Sequence, residues 1–224
     1  MKLNVVSRYP QDGGRPTPLL FVHGMMHGAW CWDVHFLDFF AEHGFAAHAV
    51  DLRGHGASDG RGRLRWTRIR EFVDDVTYAC RPMPNPPVLI GHSMGGFIVQ
   101  KYLEAHDAAG AVLLSSPAPS GLVGTTLRIA RRTPLAFMKV NLTMSLWPAI
   151  ATPRLAREAF FSADVPDDEL RGYWQRMQDE SYLALLDMVA LDLPKPERGA
   201  ASTRARSPRS PARISRRAAR PSAR

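Results

Sequence analysis

Val88-Leu89-Ile90-Gly91-His92-Ser93-Met94-Gly95-Gly96-Phe97 is the stretch that decides the fold. It opens as a short apolar run of the strand type and stops at Gly91. It resumes as a helical pattern over 94–106, with Ile98, Tyr102 and Leu103 on one face. Between strand and helix lies Gly91-x-Ser93-x-Gly95, the G-x-S-x-G spacing of a nucleophile elbow. A serine hydroxyl attacks only when it is held rigidly beside a base. A very tight turn holds it so, but crowds the backbone on either side until only small residues fit at Gly91 and Gly95. The helix that follows aims its free N–H groups at the place where negative charge develops.

Outward from this turn, strand-like and helix-like segments alternate. Residues 19–22, 45–51, 88–90 and 111–114 read as strands, and 29–42 and 69–79 as helices between them. Each strand is a continuous apolar run, as expected where both faces of a parallel sheet are covered. The predicted class is therefore α/β, a parallel sheet flanked by helices, over residues 1–119. Residues 120–193 keep only helical patterns. Pro166 with Asp167, Asp168 and Glu169 opens one helix, and Ser181 caps another. A helical block placed after a sheet strand is expected to form a cap. Residues 194–224 are predicted to be a disordered tail, since from 198 onward they are almost wholly Arg, Ala, Ser and Pro.

Two further motifs stand at strand ends: His23-Gly24-Met25-Met26, and Asp51-Leu52-Arg53-Gly54-His55-Gly56-Ala57-Ser58. Together with Gly91-His92-Ser93-Met94-Gly95-Gly96 they resemble the α/β-hydrolase superfamily. Within it they look most like serine esterases, monoacylglycerol lipases and lysophospholipases. The resemblance spans about residues 19–196 and implies that Ser93 is the nucleophile. It further implies that the backbone N–H groups of Met25 and Met94 form the oxyanion hole. His23, Gly24, Gly91 and Gly95 then shape the turns without doing chemistry. Gly54 and Gly56 do not make a phosphate loop, because no G-x-x-x-x-G-K-[ST] follows the strand.

One part of the pattern is missing. Triad order in this superfamily is Ser, then Asp or Glu, then His. All eight histidines lie at or before His106, and Asp164, Asp187 and Asp192 fall in cap-like helices. Of the upstream histidines, His55 alone sits on a loop expected to approach the site, whereas the His92 side chain points away from its neighbour Ser93. The C-terminal strands of the superfamily are expected to be absent. The composition after about residue 197 matches wrong-frame translation of a G/C-rich gene, which reading the other two frames would test.

The net charge of +8 belongs to the tail. Residues 198–224 hold nine Arg and no acid, which leaves the first 197 residues with 20 bases against 21 acids. No aromatic interleaves those arginines, so no specific nucleic-acid partner is expected. No apolar run is long enough for a membrane span, and no secretory signal is expected. Cys31 and Cys80 have no metal or redox spacing and read as reduced thiols of a cytoplasmic protein. Neither cofactor nor metal is expected. The predicted activity is hydrolysis of a small-molecule or lipid-like carboxylic ester, impaired for want of a base. The alternative is an inactive homologue that still binds ligand. Phe137, Met138, Met144, Leu146 and Trp147 are expected to line an acyl pocket. The strand at 111–114 is expected to be an exposed edge prone to self-association.

Overall fold

A computed structural model describes residues 1–11, 13–195 and 197. Five strands, β1 (Val5–Arg8), β2 (Leu19–Val22), β3 (Ala47–Val50), β4 (Val88–His92) and β5 (Gly110–Leu114), form one sheet in the order β1-β3-β2-β4-β5. β2 runs parallel to both β3 and β4, and β4 parallel to β5. β1 pairs antiparallel with β3, so the sheet is mixed where a parallel one was predicted. Val5-Val6-Ser7-Arg8 is half polar and only partly buried, which is why its apolar pattern did not stand out.

Helices α1 (Trp30–Asp33) and α2 (Phe36–Glu42) link β2 to β3. α3 (Ile69–Cys80) links β3 to β4, and α4 (Met94–Tyr102) links β4 to β5. The single helix expected over 29–42 is broken at His35, whose backbone leaves the helical region at φ −142° and ψ −36°. Packing of Trp32, Phe36 and Phe40 around the Phe21 ring overrides the local periodicity there.

Both faces of the central strands are covered, and the alternation of β2 shows how. Leu20 and Val22 join Phe72, Val76, Phe97 and Ile98 beneath α3 and α4. Leu19 and Phe21 join Trp32, Leu37 and Ile90 beneath α1 and α2. β5 departs from this: Val112 and Leu113 are each 44% exposed and Leu114 37%. Among the described residues β5 has no strand on its outer side.

After β5 come α5 (Val123–Arg132), α6 (Pro134–Thr143), α7 (Pro153–Phe160), α8 (Asp167–Arg176) and α9 (Tyr182–Leu186), then a π-helical turn at Asp187–Leu191. Pro166 is the N-cap of α8 ahead of its three acids. The Ser181 hydroxyl caps α9 by accepting from the Ala184 N–H at 3.2 Å. Leu146, Ile150, Ala156 and Met177 bury Met26, tying this helical block to the loop after β2. Among the described residues no helix is long and apolar enough to cross a membrane. Cys31 and Cys80 are free and half-buried, and burial pushes the Cys31 thiol up to about 12. The predicted tail falls outside the described residues at 196 and 198–224.

Candidate active site

Ser93 sits between the last residue of β4 and the first of α4, with φ 50° and ψ −119°, a conformation that L residues rarely adopt. Its N–H donates to the Leu114 carbonyl at 2.9 Å, and its carbonyl accepts from Phe97 N–H at 3.1 Å. The flanking glycines are obligatory for space. A Cβ on Gly91 would lie 2.5 Å from the Gly95 carbonyl oxygen. One on Gly95 would lie 2.6 Å from the His23 carbonyl oxygen and closer still to that of Val22. The start of α4 is thus pressed against the ends of both β4 and β2. A Cβ on Gly24 would meet Ser93 Cβ at 3.2 Å, so the turn after β2 stands directly beside the serine.

That turn is held by His23. Its Nδ1–H donates to the Gly24 carbonyl at 2.8 Å, and its Nε2 accepts from the Leu52 N–H at 3.2 Å. The two bonds require the neutral imidazole. Burial, aided by the neighbouring His55, accordingly lowers its pKa to about 3. Met25 follows, half-buried, and its N–H has no hydrogen-bond partner among the described residues. The Met94 N–H is the first in α4 and has no carbonyl within the helix to bond. Two backbone donors therefore stand available on the two turns that converge at Ser93.

His55 lies on the loop after β3, and its ring bonds to groups other than Ser93. It is completely buried, its ring 4.8 Å from that of His23. Nε2 contacts Glu180 Oε2 at 3.0 Å and Nδ1 faces the Arg53 carbonyl at 3.2 Å. Both partners present acceptor oxygens, an arrangement that favours a proton on each ring nitrogen. Burial alone would lower its pKa, but the Glu180 carboxylate outweighs burial and raises it. Both ring nitrogens are thus engaged by groups other than Ser93. None of the eight histidines hydrogen-bonds the Ser93 hydroxyl in the described structure.

Glu180 is the residue that sequence reasoning missed. It is buried, and Oε2 accepts from His55 and from the Met26 N–H at 3.0 Å, while Oε1 accepts from the Ser181 N–H at 2.6 Å. Two residues earlier, Gln178 donates its backbone N–H to the Met26 carbonyl at 3.1 Å and its amide to the Gly54 carbonyl at 2.8 Å. Residues 178–181 therefore grip the loop after β2 from both sides and lock it to the loop after β3. Asp51, at the end of β3, completes the frame by accepting from the Ala29 and Ala57 N–H groups at 2.6 and 3.0 Å.

The expected acyl-pocket residues divide. Leu146 is buried and Trp147 partly so, in the cluster that contains Met25 and Met26. Phe137 and Met144 are half-buried, whereas Met138 is 52% exposed on the far side of α6. Among the described residues no group of three His, Cys, Asp or Glu could hold a metal ion.

A family model described as "Alpha/beta hydrolase family" matches residues 19–221. "Probable esterase PIR7A" of Oryza sativa is 32% identical over 175 residues, covering 70% of this chain and 64% of that protein. A monoacylglycerol lipase of Mycolicibacterium smegmatis is 39% identical over 85 residues, covering 35% of this chain and 30% of the lipase. The chain thus spans less than two thirds of these relatives' lengths. In structure it is similar to the monoacylglycerol lipase of Paleococcus ferrophilus, with a TM-score of 0.59 at 21% identity over 90% of this chain and 72% of that one. A carboxylesterase structure from Nitrososphaera gargenis gives 0.61 at 20% identity, over 89% and 72%.

Proposed function

Since the chain belongs to the alpha/beta hydrolase family, we propose that it is built to hydrolyse carboxylic esters with apolar acyl groups, with Ser93 as nucleophile. The observation that carries this reading is the strained Ser93 backbone beside two unpaired donors. Attack of Ser93 Oγ on the ester carbonyl would form a tetrahedral oxyanion within reach of the Met25 and Met94 N–H groups. Collapse would expel the alcohol and leave an acyl-enzyme for water to cleave. The esterase and lipase relatives, and the apolar cluster of Leu146, Trp147 and Ile150 on the Met25–Met26 loop, support an acyl substrate. In this reading residues 120–193 are a cap over the site, and Gly24, Gly91 and Gly95 serve close approach alone.

Attack also needs a group to take the serine proton. No histidine bonds the Ser93 hydroxyl among the described residues, so these 224 residues are expected to turn over slowly. A fluorophosphonate probe should label Ser93 slowly, with ester turnover near background, and Ser93→Ala should abolish labelling. Labelling that survives Ser93→Ala would refute the nucleophile assignment. Fast turnover lost in Ser93→Ala would refute the absence of a base. The unpartnered hydroxyl also favours a second reading, a ligand-binding homologue without turnover. Its mark would be equal affinity of parent and Ser93→Ala for a medium-chain acyl probe. The bare edge of β5 is the proposed route of self-association.

A further inference from the structure

α6 is apolar on both sides. Val140 packs against the cluster that holds Met26, and Phe137 is half-buried. Leu135, Met138 and Leu142 fall at i, i+3 and i+7 on the opposite stripe, 76%, 52% and 76% exposed. A surface helix normally places polar residues there. α5, joined to α6 through Thr133 alone, likewise buries no residue and exposes Val123 and Leu127 on one stripe, 47% and 52%. Arg131 continues that stripe one turn on, Arg128 and Arg132 flank it, Ile129 is also exposed, and α6 adds Lys139 beside Leu135.

Charge defines what fits this surface. From residue 108 to residue 157 there is no Asp or Glu, against six Lys and Arg. The three arginines of α5 and Lys139 are exposed and have no ion pair among the described residues. A second copy docked face to face would set these cations against their own kind. A nucleic acid would neutralise the cations but leave Leu135 and Leu142 in water. We propose that the α5–α6 pair docks on an anionic phospholipid surface, with Leu135, Met138 and Leu142 entering the acyl boundary and the cations meeting headgroup phosphates. The helices lie on the membrane and do not cross it, and docking is independent of any reaction at Ser93.

Hydrogen exchange of the full chain, with and without vesicles, tests this. Phosphatidylcholine vesicles containing phosphatidylglycerol should protect residues 123–143, and phosphatidylcholine alone should not. Added salt should weaken the effect. Leu135→Ser/Leu142→Ser should lower vesicle partitioning at least about tenfold, since both side chains are exposed and substitution leaves the core intact. Ser93→Ala should partition like the parent, which separates this outcome from that of the proposed reaction. Protection confined to residues 198–224 would assign binding to the arginine tail and overturn the proposal. So would protection of 123–143 that rises with protein concentration in the absence of vesicles, or undiminished partitioning of the double-serine variant.

Discussion

β2 and β5 are written in the same alphabet, Leu-Leu-Phe-Val and Gly-Ala-Val-Leu-Leu, yet every residue of β2 is buried and most of β5 is exposed. β2 has a parallel neighbour on either side and helices on both faces. β5 has β4 alone. Apolar composition thus states what a strand could bury, while neighbours decide what it does bury. Burial of large side chains contributes about 1.5–3 kcal/mol each, so the two strands should differ sharply in their share of stability.

The widest separation should come from truncation. Leu20→Ala, deep between β3 and β4, is expected to cost about 2–5 kcal/mol in urea unfolding, and Leu113→Ala well under 1 kcal/mol. Equal costs would mean that β5 is covered in solution. Leu113→Lys should barely change stability but should lower any concentration-dependent association seen by sedimentation. Unaltered association would move the contact away from β5.

A polar contrast sharpens the same point. Glu180→Gln keeps an acceptor for Met26 N–H but removes the charge opposite His55, at an expected cost of about 1–3 kcal/mol. The pH dependence of that cost has a definite sign. His55, raised above its ordinary 6.5, contributes fully below 6.5 and less as pH rises through its folded value. Glu180, lowered below its ordinary 4.5, contributes fully above 4.5 and less as pH falls through its folded value; burial opposes the shift, and His55 overrides burial. The difference between parent and Glu180→Gln should therefore peak between about 4.5 and 6.5. His23, held neutral by burial, runs the other way: its contribution is full above 6.5 and fades as pH falls toward 3. The parent's own stability should accordingly fall below about 6.5, while the Glu180 difference holds at its maximum down to about 4.5. A difference that is flat from pH 4 to 8 would show that the pair is not ionised.

Legibility followed the range of the physics. The turn at residues 91–95 could be read because its requirements are local: two glycines where no Cβ fits, a strand before and a helix after. Ser181 and the acids after Pro166 were readable for the same reason. The bond between His55 and Glu180 spans 125 positions and follows no periodicity, so His55 looked like a loop residue free to reach the site. The outward stripe of α6 was read as pocket lining at Met138, because apolar character carries no direction until a partner is in place.

Ser93 adopts φ 50° and ψ −119°, a strain of about 1–3 kcal/mol that glycine would not carry. Ser93→Gly would also loosen the unfolded chain, which takes back about half to 1 kcal/mol. The net gain should still be near ~1 kcal/mol. Folding alone thus disfavours serine at this position, and a chain under selection for stability only would drift toward glycine there.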